Sequence, residues 1–217
     1  MEQPKVGFLL VISGASGAGK DTVMAELLKH PSVKKLNLKK IITCTDRSPR
    51  PGETNGVDYH FVTSEKLLEM EQKGELVEKI TLTGSSNKAT PKSELVRLLN
   101  GEDLVWRIDP SRAAEIASEG FFIKHFPEHA HFLQKSTVIL CVTAPKNAIE
   151  QRRRTRDGEN YVISEYRDRD EQELPHLHIL QEKAIIIDNP DGCLEKTVDF
   201  AANLIKSHYE KVKSKKN

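Results

Sequence analysis

Short apolar runs alternate with helical patterns along most of this chain. The run "VGFLLVIS", residues 6–13, is almost continuously apolar and ends in glycines. In the "KDTVMAELLKH" that follows, Val23, Leu27 and Leu28 recur at the spacing of one helix face. The runs "DLVWRID", "STVILCVTA" and "KAIIID" predict further buried strands, with helical segments between them. This alternation predicts an α/β fold in which helices cover both faces of a parallel sheet, with ligands at the carboxyl ends of its strands.

The middle of the chain departs from this alternation. "KKIITCT", residues 39–45, predicts one strand, and the "DRSPRPGETNG" after it holds too much Pro, Gly and Asn for regular structure. "VDYHFVT" and "ELVEKITLTG" predict strands half exposed to water, and Ser64 is the predicted cap of the helix between them. We therefore expect residues 43–99 to form an inserted mixed α+β module in a core made of residues 1–42 and 100–217.

The bulk properties exclude some classes of protein. A chain of 217 residues suits one compact unit, and a net charge of +1 gives no general reason to bind nucleic acid or a membrane. Cys44, Cys141 and Cys193 lie far apart, as expected in a reducing, cytoplasmic compartment. "VGFLLVI" is too short to span a bilayer and lacks the basic leader of a signal peptide.

The segment 118–136, "SEGFFIKHFPEHAHFLQKS", carries three histidines, at positions 125, 129 and 131. A metal site usually needs more ligands than these, and neither a cysteine nor a second matched cluster accompanies them. We therefore expect this segment to be a surface loop.

The residues between the first predicted strand and the first predicted helix match a phosphate-binding loop. The pattern G-x-x-x-x-G-K is complete from Gly14 to Lys20. Its glycines allow successive N–H groups to face phosphate oxygens, the helix adds its positive end, and Lys20 brings a movable charge. A plain glycine turn is the alternative. The predicted nucleotide-binding positions are Gly14, Ala15, Ser16, Gly17, Ala18, Gly19, Lys20, Asp21 and Thr22.

Asp21 stands where this pattern usually has a magnesium-binding Ser or Thr. Because Mg²⁺ keeps its hydration shell readily, the Asp21 carboxylate could accept hydrogen bonds from metal-bound water, with the Thr22 hydroxyl nearby. An acid in the first turn of a helix is also favoured by the helix dipole alone. The sequence leaves both roles open.

Residues 43–61, "TCTDRSPRPGETNGVDYHF", resemble the guanylate-binding segment of guanylate kinases. That pattern is roughly S/T-x-T-T-R-x-P-R-x-G-E-x-x-G-x-x-Y, and only Asp46 breaks it. Two guanidinium groups three residues apart, Arg47 and Arg50, suit a phosphate dianion. The positions in register are Thr43, Thr45, Arg47, Pro49, Arg50, Gly52, Glu53, Gly56 and Tyr59.

The resemblance continues at lower fidelity over residues 6–205. It implies an enzyme that transfers the γ-phosphoryl group of ATP to GMP or dGMP with Mg²⁺, acting on small molecules as a monomer or homodimer. By register, Glu78 and Asp109 accept hydrogen bonds from the guanine edge, whose N1–H and N2–H₂ are donors. The plainer alternatives are that Glu78 is an ordinary surface glutamate and that Asp109 only caps a helix. The implied acceptor-binding positions are Thr43, Arg47, Arg50, Tyr59, Glu78, Thr90 and Asp109, and Asn189 falls where the family contacts adenine.

"RRRTRDG", residues 152–158, takes the place of the family's lid, which we expect over residues 150–173. The attacking phosphate oxygen is already ionised near neutral pH, so catalysis consists of alignment and charge neutralisation by mobile cations. An ordinary charged helix is the alternative, and the family's R-R-x-x-G-R-G spacing is blurred here. The implied catalytic residues are Lys20, Arg47, Arg152, Arg156 and Arg167.

Two segments depart from the family pattern. "GSSNKAT", residues 84–90, replaces the usual G-N-Y-Y-G-T, so a phosphate-binding tyrosine is missing and Lys88 lies close to its position. "RIDPSR" replaces D-I-D-W-Q-G, so Arg107 stands where an acid often lies near magnesium. Two other functions stay open: a phosphate-loop kinase for another acceptor such as ribose 1,5-bisphosphate, which would lack "RSPRPGE", and a non-catalytic scaffold, which would tend to lose the phosphate loop.

Overall fold

The computed structural model of the chain describes residues 6–83 and 86–214. Gly84 and Ser85 of the altered "GSSNKAT" segment lie outside the described residues. Short 3₁₀ turns occupy Pro127–His129 and Gly158–Asn160. In chain order the other elements are β1 Leu9–Ser13, α1 Lys20–Lys29, α2 Pro31–Lys34, β2 Lys39–Lys40, β3 Cys44–Thr45, β4 His60–Phe61, α3 Ser64–Gln72, β5 Thr81–Thr83, β6 Ser86–Ala89, α4 Lys92–Leu99, β7 Leu104–Arg107, α5 Pro110–Ala117, α6 Glu119–His125, α7 Ala130–Lys135, β8 Thr137–Thr143, α8 Lys146–Asp157, α9 Ile163–Lys183, β9 Ile185–Asp188 and α10 Leu194–Ser214.

The main sheet of the described chain is parallel, with the strand order β2, β7, β1, β8, β9. Successive residues of β1 face opposite sides, so Leu9 and Val11 join one hydrophobic cluster while Leu10 and Ile12 join another. The first cluster includes residues of α5, α6 and α7, and the second includes residues of α1 and α10. Helices therefore cover both faces, which confirms the predicted α/β architecture.

A second, smaller sheet has the order β4, β3, β6, β5 and mixes parallel with antiparallel pairing. Its cluster of buried residues contains Cys44, Leu67, Leu76 and Ala89. The single strand predicted over residues 39–45 is wrong, because β2 pairs with β7 in the main sheet whereas β3 pairs with β6 in the second. One apolar run thus passes from one sheet to the other, and the domain boundaries around residues 43–99 stay a prediction.

The helices differ from the sequence prediction in two places. Residues 118–136 form α6, a 3₁₀ turn and α7, and the predicted surface loop is wrong because Phe122 and Leu133 are fully buried in the first cluster. The cap of α3 is Thr63, whose hydroxyl accepts from the Lys66 N–H at 3.1 Å, and not Ser64. No helix in the described part of the chain has the length and apolar composition that crossing a bilayer requires.

Candidate active site

The phosphate-loop sequence forms a turn between β1 and the first residue of α1. Gly14, Gly17 and Gly19 have φ values of 143°, 85° and 91°, a region that residues with a Cβ rarely adopt. A Cβ added at Gly14 would collide with the carbonyl oxygen of Val142 on β8, and one at Gly19 with the side-chain amide of Asn189. The loop therefore has a conformation that requires its glycines.

Three side chains hold this loop by its carbonyl groups. The Asn189 amide donates to the Ala18 carbonyl oxygen at 2.9 Å, and Arg152 donates to the same oxygen at 3.2 Å. Arg153 donates through Nε to the Ser16 carbonyl oxygen at 2.9 Å. These bonds turn the carbonyls toward the protein, which leaves loop N–H groups to face an anion. Asn189, predicted to contact adenine, supports the loop here, and its contact with a base stays a prediction.

Lys20 is half-buried at the start of α1. Burial lowers the pKa of its ammonium group because the charge loses solvation, while the neighbouring Asp21 carboxylate acts in the opposite direction. The guanidinium groups of Arg107 and Arg169 also lie near enough to lower this pKa. Three cations, Lys20, Arg107 and Arg169, therefore lie beside the loop together with the carboxylates of Asp21 and Glu173, which leaves one positive charge in excess for a polyanion such as triphosphate.

Asp21 and Thr22, the predicted metal positions, are exposed on the first turn of α1. Arg107, the last residue of β7, places Nε 3.0 Å from Oδ1 of Asp21. An exposed carboxylate and hydroxyl fit a magnesium ion that keeps its water, whereas the adjacent guanidinium disfavours direct coordination. Within residues 6–83 and 86–214, His, Cys, Asp and Glu side chains form no group of three or more that could hold a metal. The arrangement fits only a water-mediated contact, and metal binding here stays a prediction.

The arginines predicted to act as a lid lie in different environments. Arg152 forms an ion pair with Asp191 at 2.6 Å in addition to its bond with the loop. Arg156 is exposed on α8 and bonds the Tyr166 hydroxyl of α9. Arg167 is exposed on α9 and forms no ion pair with any described residue. Of the three, Arg152 alone touches the phosphate loop, and the catalytic roles stay predictions.

Arg153, which the sequence did not single out, is 4% exposed and is the most buried of the lid arginines. It binds both carboxylate oxygens of Asp170 on α9, at 2.8 and 2.6 Å, while its Nε holds Ser16 of the loop. It therefore connects α8, α9 and the loop. The sequence does not indicate that Arg153 is buried, because it lies between other arginines. Which arginine of a charged run becomes buried depends on how α8 and α9 pack.

On the acceptor side, Arg47 and Glu53 form a bidentate pair with nitrogen–oxygen distances of 2.6 and 2.7 Å. Hydrogen bonding from Arg47 is the main reason that the pKa of Glu53 falls to about 2. The Arg47 guanidinium also lies 5.1 Å from the centre of the Tyr59 ring, and Lys88 Nζ lies 3.5 Å from the Tyr59 hydroxyl. Arg50 is exposed on the same loop. The structure thus brings Arg47, Tyr59 and Lys88 together as one cationic cluster.

Glu78 is not the surface glutamate that was the plainer alternative, because its side chain is only 10% exposed and forms an ion pair with Arg112 of α5. Burial raises the pKa of Glu78, while Arg112 and hydrogen bonds from Thr90 oppose that shift. Asp109 caps α5, accepting from the Arg112 N–H at 3.0 Å, and Thr43 lies with its hydroxyl 3.5 Å from that of Thr90. Four of the predicted acceptor residues therefore lie in this one network, and their contacts with guanine stay predictions.

Asp46, the residue that breaks the guanylate-binding pattern, has its partner in the altered "GSSNKAT" segment. Its two carboxylate oxygens accept from the backbone N–H of Asn87 at 2.8 Å and from the side-chain amide of Asn87 at 2.6 Å. The Ser64 hydroxyl donates to the same carboxylate at 2.9 Å. These bonds, that of the Asn87 amide first, lower the pKa of Asp46. A change in one segment is thus matched by a change in another 41 residues away.

A parallel sheet covered by helices, with a glycine loop and a convergent set of cations at the carboxyl end of β1, defines a phosphate-loop kinase of the nucleoside monophosphate type. The family profile of guanylate kinases matches residues 7–116. A guanylate kinase of Clostridioides difficile is 36% identical over 166 residues, which cover 75% of this chain and 78% of that protein. The chain belongs to the guanylate kinase family, as the sequence predicted.

Other relatives agree over shorter stretches or in fold. A guanylate kinase of Lactobacillus johnsonii is 35% identical over 136 residues, covering 61% of this chain and 65% of its own. The crystal structure of guanylate kinase from Anaplasma phagocytophilum superposes with a TM-score of 0.59, covering 94% of this chain and 87% of that one. At 22% identity this last likeness shows the fold alone.

Proposed function

We propose that this protein transfers the γ-phosphoryl group of ATP to GMP or dGMP in a magnesium-dependent reaction, giving ADP and the nucleoside diphosphate. The observation that carries the proposal is the group of Arg47, Tyr59 and Lys88, together with the buried carboxylate of Glu78, which accepts hydrogen bonds from Thr90, two residues after Lys88. Two cations suit a monophosphate, and a buried carboxylate suits the donors of a guanine edge. Membership of the guanylate kinase family supports the same acceptor.

The residues on the donor side supply alignment and charge. No residue has to remove a proton, because the attacking phosphate oxygen is already ionised. Lys20 and the loop N–H groups hold the triphosphate, and the lid arginines Arg152, Arg156 and Arg167 neutralise the charge that develops on the transferred group. When bound, magnesium supplies further neutralisation of the phosphate oxygens, and Asp21 and Thr22 are the side chains that would face its water.

The two other functions have less support. A scaffold would not need glycines held in a left-handed conformation or carbonyl groups tied back by Asn189 and Arg153, and this chain keeps both features. The acceptor of a sugar bisphosphate kinase would lack a base, and the "RSPRPGE" loop with a buried carboxylate at Glu78 is what a base-reading site would need. Both features favour a catalytic nucleotide kinase.

A coupled assay of ADP release tests the proposal directly. ATP is offered with GMP, dGMP, AMP, CMP, UMP or ribose 1,5-bisphosphate, and we expect GMP and dGMP to give the highest kcat/KM. Purified Lys20→Ala protein is the control that excludes a contaminating kinase. Preference for another monophosphate or for the sugar bisphosphate would replace the proposed acceptor, and no transfer to any acceptor would leave the scaffold function.

The proposal includes a cytoplasmic protein that acts on small-molecule substrates as a monomer or a homodimer. The three separated cysteines fit a reducing compartment, since Cys44 and Cys141 are buried thiols and Cys193 is partly buried. Light scattering coupled to size-exclusion chromatography distinguishes the monomer from the homodimer.

A further inference from the structure

Two departures from the family pattern meet in the folded protein. Asp21 stands at the helix start where a hydroxyl is usual, and Arg107 stands at the strand end where an acid is usual. In the structure, Arg107 Nε lies 3.0 Å from Oδ1 of Asp21. Relative to the family pattern, the acid has moved from the strand to the helix, and a guanidinium has taken its place.

The position of Arg107 places its charge at the nucleotide phosphates. It ends β7 and pairs in register with Ile12 of β1, two residues before Gly14 of the loop. Its guanidinium lies near enough to Lys20 to lower the pKa of that ammonium group. Because parallel strands meet ligands at their carboxyl ends, Arg107 is placed beside the phosphate subsite.

The pair itself is weak enough to be exchanged. The side chains of Arg107 and Asp21 are 39% and 69% exposed, and solvent screens an ion pair of this kind. Arg169 is likewise held by a carboxylate, Glu173, at 2.8 Å, and likewise lowers the Lys20 pKa. A triphosphate offers more negative charge than one exposed carboxylate, so it can draw a guanidinium away from such a partner.

We propose that Arg107 is a phosphate-contacting residue of the nucleotide site, held on Asp21 until the nucleotide binds, and that Asp21 is thereby released to face the hydrated magnesium. The inference rests on the proposed function only in taking an adenine nucleotide as the ligand. Arg107 then competes with the metal for Asp21, and Asp21 competes with the nucleotide for Arg107. The presence of an acid at position 21 and an arginine at position 107 therefore links phosphate binding to metal binding.

Calorimetric titration with ADP tests this exchange without relying on turnover. In EDTA, Arg107→Gln should bind ADP about two- to fivefold more weakly, the range expected for one exposed charged contact. Asp21→Asn should bind metal-free ADP more tightly, because Arg107 is already released and a negative charge is gone. With Mg²⁺ added, the concentration that gives half of the metal-dependent gain in affinity should fall in Arg107→Gln and rise in Asp21→Asn.

The double variant, Arg107→Gln with Asp21→Asn, shows whether Arg107 changes partner from Asp21 to phosphate or whether the two charges act independently. If Arg107 must leave Asp21 in order to bind phosphate, removing Arg107 costs more ADP affinity in the Asp21→Asn background than in the parent. Lys29→Gln is the matched control, since it removes an ion-paired cation from the opposite end of α1, and it should change neither titration. Thermal unfolding midpoints of all variants confirm that they are folded.

Two results would overturn the inference. One is an unchanged ADP affinity of Arg107→Gln in EDTA, and the other is strict additivity in the double variant; either would make the pair an ordinary surface contact. The acceptor assay decides the proposed function separately. A protein that phosphorylates an acceptor other than GMP but shows the expected ADP titrations would still support the exchange between Asp21 and Arg107.

Discussion

The phosphate loop and the acceptor network are assembled in different ways. The loop is nine consecutive residues, Gly14 to Thr22, with backbone dihedral angles that its own glycines permit. The acceptor network joins residues from four separate stretches of chain: Arg47 and Glu53, Glu78, the strand with Lys88, and Arg112. The pattern of the first is local, although Asn189, Arg152 and Arg153 hold its carbonyl groups from distant parts of the chain, whereas the second has no local pattern and depends on tertiary packing throughout.

The two regions also differ in what their charged groups contact. At the loop, Arg152 and Arg153 bind backbone carbonyl groups in addition to carboxylates, and Lys20 lies near two arginines and two acids. On the acceptor side, two of the predicted binding residues are held by ion pairs with residues that were not predicted to bind the acceptor, as Arg47 binds Glu53 and Glu78 binds Arg112. We therefore expect changes at the loop to alter turnover, and changes in the acceptor network to alter which nucleotide is captured.

The largest effect should come from Lys20→Ala. Loss of the charge that follows the transferred phosphoryl group should lower kcat by about 10²- to 10³-fold or more, with the fold intact. Steady-state kinetics measure the effect, circular dichroism checks the fold, and Lys29→Ala on the same helix is the control. Near-normal turnover in a folded Lys20→Ala protein would contradict the catalytic role of the loop.

The next largest effect should come from Arg153→Ala, which removes a side chain that holds the phosphate loop. This change leaves the Ser16 carbonyl group and Asp170 without their partner, and it should lower the free energy of unfolding by about 2 to 4 kcal/mol, since Asp170 is half-exposed and recovers some solvation. Arg154→Ala is the matched control, because that neighbouring side chain is 50% exposed, and it should cost less than about 1 kcal/mol. Urea unfolding measures both. Equal losses would show that Arg153 is no more structural than its neighbour.

The acceptor cations are tested by Arg47→Ala and Arg50→Ala. Each should lower kcat/KM for GMP, with a loss of about 1.5 to 3 kcal/mol in the free energy of transition-state binding. The KM for ATP should change much less. Glu53→Gln is the companion variant, because it removes the carboxylate that binds the Arg47 guanidinium and the Arg50 backbone N–H while leaving both arginines present. If the losses were equal for GMP and ATP, the arginines would have a folding role instead.

The carboxylate of Glu78, predicted to bind the guanine base, gives the smallest and most specific effect. That effect is a dependence of kcat/KM for GMP on pH. Burial raises the pKa of Glu78 above its usual 4.5, and the carboxylate form is the one that accepts from guanine N–H groups. Capture of GMP should therefore fall as pH falls through that raised pKa. Arg112→Gln removes a charge that lowers this pKa, so the acid limb of kcat/KM for GMP should move to higher pH.

Glu78→Gln is the companion variant for this test. It should remove the contribution of Glu78 to the acid limb, leaving that of the GMP phosphate itself. It should also narrow the preference for GMP over AMP, because the new amide carries donors where guanine also presents donors. An acid limb that stays in place in both variants, together with unchanged discrimination, would mean that another group reads the base.

Much of the candidate site could be anticipated because its signals are local. Strand, glycine loop and helix follow one another in the chain, and Arg47, Arg50 and Tyr59 lie within one stretch of 13 residues. The predicted segment 39–45 shows the limit of such reading, since β2 and β3 come from one apolar run yet belong to different sheets. Residues 118–136 show it again, because three histidines without a matched ligand cluster were interpreted as a surface loop, whereas Phe121 and Phe122 are buried in helix α6.

The sequence by itself determined the phosphate loop, the alternating α/β order and the family, because each depends on neighbouring residues or on a contiguous pattern. Only the tertiary structure decided the partners of two residues that depart from the pattern, Asp21 with Arg107 and Asp46 with Asn87, and of one that keeps it, Glu78 with Arg112. A side chain's charge can be read from the sequence. Its partner cannot, since a contact across dozens of residues depends on how strands and helices pack, and that packing sets the burial and solvation that give each charge its effect.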